Sequence, residues 1–195
     1  MKNKLILSDA DGVLVNWQWA FSVWMQERGY TLADDTSSYY LHHHYPDLEE
    51  KDTKQIVKQF NESAAIGFLP ALRDATHYVR RLHEEHGYQF RVITSLSLDK
   101  NAQRLRDMNL RKLFGNAIET IICLDTGANK DVALEDYRGS GLVFVEDKYS
   151  NFEVGLNLGL KSILVTHDYN KHEDFKNRHR ANNWKEIYEI ITAGE

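Results

Sequence analysis

Short apolar segments recur along most of the chain and are typical of buried strands. Each one is rich in β-branched residues and is apolar at successive positions, without the polar alternation of a half-exposed strand. Strands of a parallel sheet that helices cover on both faces have this continuous apolar pattern. The predicted strands are KLILS (4–8), QFRVIT (89–94), ETIICL (119–124), GLVFVE (141–146) and KSILVT (161–166).

Helical patterns lie between these segments. In the pattern over 71–87, Leu72, Ala75, Val79 and Leu82 fall on one face of a helix. The other predicted helices cover 99–110, 129–137, 150–159 and 182–194. Strands that alternate with helices predict an α/β fold, a Rossmann-like parallel sheet flanked by helices with right-handed crossovers.

The segment over 16–70 departs from this alternation because it contains no convincing strand. Two helical patterns, over 17–30 and 51–68, are joined by a polar link rich in His and Tyr over 34–46. We interpret the segment as a small helical cap inserted after the first strand. The predicted division is a catalytic core over 1–15 and 71–195 and a cap over 16–70.

Composition and charge limit the classes of protein that fit this sequence. With 195 residues the chain is long enough to bury a substantial core, and its net charge of -5 argues against a nucleic-acid polymer as stable partner. Cys123 is the single cysteine, which excludes an internal disulfide and fits a reducing cytoplasm. No run of about 20 apolar residues predicts a membrane span, and the amino terminus is too weakly apolar for a signal peptide.

Polar residues collect where the predicted strands end. In open parallel sheets, ligands bind at the carboxyl ends of the strands, so side chains that follow different strands meet there. Acidic pairs follow the first and fourth strands, hydroxyls end the second, and a lysine lies in the loop after the third. These residues are Asp9, Asp11, Thr94, Ser95, Lys130, Glu146 and Asp147.

This set of side chains suits phosphoryl chemistry. Several carboxylates at one place repel one another unless a cation lies among them, and Mg²⁺ prefers oxygen ligands. A lysine and a hydroxyl beside them can hold phosphoryl oxygens. Of Asp9 and Asp11, one carboxylate can attack phosphorus while the other moves protons, and Gly12 permits a sharp turn after them.

The same residues resemble a known family. The stretch DADGVL (9–14) matches the DxDGxx signature of the haloacid dehalogenase-like (HAD) superfamily of phosphohydrolases. Thr94, Lys130 and the pair Glu146-Asp147 follow in the order that the family shows. The resemblance covers essentially the whole chain except the predicted cap.

The resemblance implies a role for each of these residues. Asp9 would be the nucleophile that forms an aspartyl-phosphate. Asp11 would protonate the leaving oxygen and then activate the hydrolytic water. Thr94, Ser95 and Lys130 would bind the phosphoryl group. The implied Mg²⁺ site consists of Asp9, the backbone carbonyl of Asp11, Asp147, and Glu146 acting through water.

Within the superfamily the chain looks most like the 5'(3')-deoxyribonucleotidase group. The similar stretches cover 67–95 and 145–171, and the predicted cap follows the first motif as in that group. The resemblance implies a small phosphorylated substrate, a nucleoside monophosphate, and is compatible with a homodimer. A sugar-phosphate phosphatase, a nucleic-acid 3'-end phosphatase and a non-catalytic HAD-like binding module remain as alternatives.

The aromatic residues of the predicted cap have two interpretations. Most are expected to form the core of the cap itself, and one or two are expected to face the substrate and stack on a base. The residues concerned are Trp17, Trp19, Phe21, Trp24, Tyr39, Tyr40 and Tyr45. The three histidines over 42–44 point in different directions on a helix and do not form a metal-ligand set by themselves.

Overall fold

A parallel sheet forms the centre of the molecule. The computed structural model describes residues 4–172 and 179–193. Its six-stranded sheet has the order β3-β2-β1-β4-β5-β6, and every paired neighbour is parallel. The strands are β1 Leu5–Ser8, β2 Gln89–Ser95, β3 Ile118–Leu124, β4 Val143–Glu146, β5 Lys161–Val165 and β6 His179–Ala181. The strand order reverses between β1 and β4, which is where such sheets bind ligands.

Helices lie between the strands and confirm the predicted α/β fold. They are α1 Trp17–Gln26, α2 Glu50–Asn61, α3 Ala75–His86, α4 Lys100–Phe114, α5 Asp131–Glu135, α6 Tyr149–Asn157 and α7 Trp184–Thr192. Short 3₁₀ segments occur at Leu41–His43, Ala64–Phe68 and Gly115–Ala117. Among the helices of the described residues, none combines the length and apolarity that crossing a bilayer requires.

Both faces of the sheet are buried, as the continuous apolar pattern predicts. All of β1 is buried, and its neighbouring side chains alternate between two apolar clusters. Ile6 belongs to the larger cluster, with Val145 and Trp184, whereas Leu7 belongs to the smaller one, with Phe144. Each fully buried aliphatic side chain stabilises the fold by about 1.5–3 kcal/mol. The residues that follow β1 are therefore held at a rigid position between β2 and β4.

Several helix boundaries differ from the sequence prediction, and one strand was missed; the helix predicted over 51–68, for example, ends at Asn61. Helix α3 begins at Ala75 rather than at 71, because Ala71 forms a bridge with Val15 and the Leu72 N–H donates to the Leu14 carbonyl at 2.9 Å. Strand β6 was not among the predicted strands. It is a short edge strand in which only Ala181 is buried, so it has no apolar run that a pattern could reveal.

The segment predicted as a cap leaves and re-enters the core at one point. The Asn16 N–H donates to the Pro70 carbonyl at 2.9 Å, so the two ends of the insertion lie side by side. Inside it, Phe21 stacks on Trp17 with ring centroids 4.7 Å apart and meets Phe60 edge-on at 5.3 Å. Phe21 and Phe60 belong to the same apolar cluster as the β1 side chains. The aromatic residues thus fasten the insertion to the main core.

Candidate active site

The turn after β1 brings two carboxylates to the edge of the sheet. The Asp9 N–H donates to the Val145 carbonyl of β4 at 2.9 Å, which extends the sheet pairing by one residue. Gly12 has φ +74°, a conformation that favours glycine. A Cβ at Gly12 would collide with the Asp147 carboxylate. Glycine therefore serves two purposes here, since it permits the turn and makes room for the carboxylate that follows β4.

Three buried carboxylates meet between β1 and β4. Asp9, Glu146 and Asp147 each offer one oxygen, and these oxygens lie within 4.8 Å of one another. Burial, with Glu146 and Asp11 nearby, raises the pKa of Asp9 to about 7 against the opposing effect of Lys130. Burial and the charge of Asp9 raise the pKa of Asp147 to about 6. The cluster has the oxygen donors that a hard divalent cation prefers, and such a cation would relieve their repulsion.

Lys130 lies beneath this cluster and contacts two of its members. Its side chain is 1% exposed, and Nζ lies 2.9 Å from Asp9 Oδ1 and 2.7 Å from Glu146 Oε2. Burial favours the neutral amine, but Asp9 and Glu146 outweigh it and raise the pKa of Lys130. The side chain is therefore a fixed positive charge at the end of the sheet.

Glu146 holds Lys130 in place through a saturated set of hydrogen bonds. Its Oε1 accepts from the N–H groups of Asp147 and Lys148 at 3.1 and 3.0 Å. Its Oε2 accepts from Lys130 Nζ at 2.7 Å and from Asn151 Nδ2 at 3.4 Å. Burial raises the pKa of this fully buried carboxylate, while Lys130 acts in the opposite direction.

The hydroxyls that end β2 lie in different environments. Thr94 is fully buried, and its Oγ1 has no hydrogen-bond partner within the described part of the chain. Ser95 donates its hydroxyl to the Ala128 carbonyl at 2.7 Å, which ties β2 to the loop that leads to Lys130. An unpaired buried hydroxyl is costly, so Thr94 Oγ1 is available to a ligand oxygen.

Asp11 does not join the acidic cluster and instead faces a buried arginine. Arg106 Nη2 lies 2.7 Å from Asp11 Oδ1 and donates a hydrogen bond to Oδ2 at 3.0 Å. Arg106 was not among the site residues predicted from the sequence. The available signal is its position with Ala102, Leu110 and Phe114 on the buried face of α4, where a charged residue is unusual.

The loop after β5 fastens the same region from the other side. The Tyr169 hydroxyl donates to Asp147 Oδ2, and Asn170 Nδ2 donates to the Asp147 carbonyl at 2.8 Å. His167 Nε2 lies 2.7 Å from the Gly12 carbonyl, and burial lowers the pKa of this imidazole to about 4. The neutral ring therefore donates this hydrogen bond at pH 7. Tyr169 and Asn170 lie at the end of the stretch over 145–171 that carries the resemblance, but the sequence gives Tyr169 no role or partner.

One aromatic residue of the insertion reaches the site. The ring of Tyr39 meets Tyr169 edge-on at 5.6 Å, and Lys148 Nζ lies 5.7 Å from its centroid. Partial desolvation and the charge of Asp147 raise the pKa of the Tyr39 phenol, although 47% of the residue's surface is exposed. Tyr39 thus places an aromatic surface near the acidic cluster.

Solved structures of similar fold include haloacid dehalogenase-like hydrolases. A hydrolase of that family from Streptococcus pneumoniae is 16% identical, with a TM-score of 0.63 over 97% of this chain and 99% of the other. A CbbY variant from Rhodobacter sphaeroides, in complex with xylulose-1,5-bisphosphate, is 18% identical, with a TM-score of 0.57 over 93% and 94%. YfnB from Bacillus subtilis, bound to magnesium, is 11% identical, with a TM-score of 0.56 over 98% and 99%.

Sequence comparison gives no match, either to the models of protein families or to curated proteins. The likeness therefore lies in the fold. It confirms the Rossmann-like architecture predicted for this chain.

Proposed function

We propose that the protein is a Mg²⁺-dependent phosphomonoesterase that forms an aspartyl-phosphate on Asp9. The observation that carries the proposal is the buried Asp9 carboxylate, which lies against Lys130 and within a carboxylate cluster suited to a cation. Thr94, whose hydroxyl has no partner among the described residues, is the next-to-last residue of the neighbouring strand β2. A nucleophile, a fixed positive charge and a free donor are the groups that phosphoryl transfer needs.

The residues present fit a magnesium ion. Asp9 and Asp147 would hold it through their carboxylates, and Asp11 through its backbone carbonyl. The bound ion would supply positive charge to the phosphoryl oxygens. Glu146 was predicted to act at the metal through water. Because its two oxygens already accept four hydrogen bonds, we propose that its main role is to hold Lys130.

The steps assign one task to each side chain. An oxygen of Asp9 attacks phosphorus, and the bond from phosphorus to the ester oxygen breaks. Asp11 gives that leaving oxygen its proton, and then takes a proton from the water that hydrolyses the aspartyl-phosphate. Lys130 and Thr94 hold the phosphoryl oxygens throughout. Ser95, whose hydroxyl is bound to Ala128, supports the loop that carries Lys130.

The proposed substrate is a nucleoside monophosphate. Tyr39 supports it, since its ring lies beside Tyr169 at the site and offers a surface on which a base can stack. The insertion over 16–70 would then act as a cap that selects the substrate. A sugar phosphate is the second candidate, because CbbY, which has the same fold, binds a sugar bisphosphate. The single cysteine favours a cytoplasmic location.

Phosphate release from a substrate panel tests the proposal. The panel contains ribo- and deoxyribonucleoside 5'- and 3'-monophosphates and sugar phosphates, each with Mg²⁺ and with EDTA. Asp9→Asn should abolish turnover while the fold persists, and Asp136→Asn, at an exposed aspartate of the helix α5 end, serves as the matched control.

Each result has a defined meaning. Fast, metal-dependent release from nucleotides supports the full proposal, and release from sugar phosphates alone keeps the mechanism but replaces the substrate. Turnover by Asp9→Asn, or no release from any substrate, would overturn the proposed mechanism.

A further inference from the structure

Arg106 is a buried charge with an incomplete set of partners. Its side chain is 0% exposed, and Nε and Nη1 have no hydrogen-bond partner among the residues that the structure describes. Only Nη2 is engaged, with the two carboxylate oxygens of Asp11. A buried guanidinium costs free energy unless it is paired, so the contact with Asp11 is the one that compensates for its burial.

Asp11 in turn depends on Arg106 for its orientation. The Asp11 side chain is 24% exposed as a whole, but its Oδ1 is buried and has no hydrogen-bond partner among the described residues, so its closest approach is the ion pair with Arg106. Arg106 is the partner that the structure gives to its oxygens, and a short side chain held at one end keeps one rotamer. Rotation of the carboxylate away would leave the guanidinium buried without a counter-charge.

We propose that Arg106 is a positioning residue that fixes the Asp11 carboxylate for proton transfer. The inference rests on the proposed phosphomonoesterase function, in which Asp11 protonates the leaving oxygen. Arg106 acts through Asp11 and does not touch the substrate, because it is fully buried behind that carboxylate. Fixed orientation of an acid or base lowers the barrier only for the step in which the proton moves.

The dependence on the leaving group tests this role. A p-nitrophenolate leaves with little need of a proton, whereas an alkoxide needs one. We expect Arg106→Met to lower kcat/KM on an alkyl phosphate on the order of 10- to 100-fold and on p-nitrophenyl phosphate by less than about 3-fold. Hydrolysis of the aspartyl-phosphate is common to both esters and follows departure of the leaving group, so it does not enter kcat/KM. Arg104→Met, at an exposed position of the same helix, is the matched control.

Two further variants separate positioning from a purely structural role. Arg106→Lys keeps the charge and should recover part of the rate on the alkyl ester. In an Asp11→Asn background, Arg106→Met should cost no further rate, because the group through which it acts is already lost. Methionine has a similar stem to arginine and removes the buried charge, and lysine keeps a cation beside Asp11, so both Arg106 variants are expected to fold.

The outcomes distinguish failure of this inference from failure of the proposed phosphomonoesterase function. If the wild-type protein releases no phosphate from either ester, the proposed function and the inference both fail. If the wild-type protein is active and Arg106→Met lowers kcat/KM equally for both esters, the inference alone fails. Additive losses in the Asp11→Asn background, or no recovery with Arg106→Lys, would also overturn it.

Discussion

Two buried cations each hold one carboxylate of the turn after β1, and their surroundings differ. Lys130 contacts both Asp9 and Glu146, and Glu146 is itself saturated with donors. Among the residues that the structure describes, Arg106 has an ion pair only with Asp11, and two of its nitrogens have no hydrogen-bond partner. The Lys130 side is a closed network that fixes Asp9, the proposed nucleophile, whereas the Arg106 side is a single contact to a partly exposed group. A nucleophile benefits from fixed geometry, and an acid that later becomes a base must exchange protons with substrate and water.

The largest expected effect comes from removing the cation of the closed network. Lys130→Met leaves Asp9 and Glu146 buried without their counter-charge, so we expect the free energy of unfolding to fall by about 3–5 kcal/mol. Loss of a donor to the phosphoryl group should lower kcat by about 10²–10³. Urea denaturation and phosphate release measure the two effects.

A double variant then tests whether the buried network of charges causes the loss of stability in Lys130→Met. Lys130→Met with Glu146→Gln should regain part of the stability, since one buried charge is removed, but none of the activity. Lys51→Met, at a lysine exposed on α2, is the control. Equal stability of Lys130→Met and the wild type would show that the network does not hold the site.

Binding of Mg²⁺ to the carboxylates beside Lys130 should stabilise the folded protein. A cation that binds only the folded protein adds about 2.7 kcal/mol at 100 times its dissociation constant. We expect this increase in the wild type and in Asp11→Ala, which keeps its backbone carbonyl, and its loss in Asp147→Asn. Thermal unfolding with Mg²⁺ and with EDTA measures it. An equal increase in Asp147→Asn would place the cation elsewhere.

Removal of the carboxylate that pairs with Arg106 should lower the free energy of unfolding by less than Lys130→Met does. Asp11→Ala leaves the guanidinium unpaired, but the partial exposure of Asp11 means that water can replace some of the lost contact. We expect a loss of about 1–3 kcal/mol in the free energy of unfolding, and partial recovery in Asp11→Ala with Arg106→Met. A loss as large as that of Lys130→Met would mean that the two sides are equally closed.

The two sides also differ in how far the sequence predicts them. Asp9, Lys130 and Asp147 lie at or after strand ends, where a parallel sheet must bring them together, so their meeting follows from topology. Arg106 lies inside a helix and reaches Asp11 only because α4 turns this face inward. The identity of a partner across the fold depends on packing, which spacing along the chain does not contain.

The edge strand of the sheet is a second feature that the sequence pattern could not predict. The central strands are predicted because burial on both faces demands continuous apolar residues. Strand β6 pairs only with β5 among the described strands and contains His179 and Arg180, so its pattern resembles a loop. Tyr169 is similar, since an aromatic residue in a loop gives no indication that it will bind a carboxylate.

The last expected effect, which appears only below about pH 6.5, concerns the turn that joins the two sides, where His167 Nε2 contacts the Gly12 carbonyl. Burial lowers the pKa of His167 from 6.5 to about 4, so the unfolded chain binds the proton more tightly than the folded protein. Its contribution to stability is therefore complete above pH 6.5 and is lost as the pH falls from 6.5 towards 4. Between pH 7 and pH 5 this loss amounts to about 2 kcal/mol.

His167→Gln isolates this contribution, because glutamine retains a donor for the Gly12 carbonyl and does not titrate. The measured quantity is the difference in free energy of unfolding between the wild type and the variant, at pH 7 and at pH 5. Titration of the buried carboxylates is common to both proteins and cancels in the difference. We expect the difference to shift by about 2 kcal/mol against the wild type at pH 5. A constant difference would mean that the imidazole is solvated, and that the turn is held by the contacts of its two carboxylates with Lys130 and Arg106.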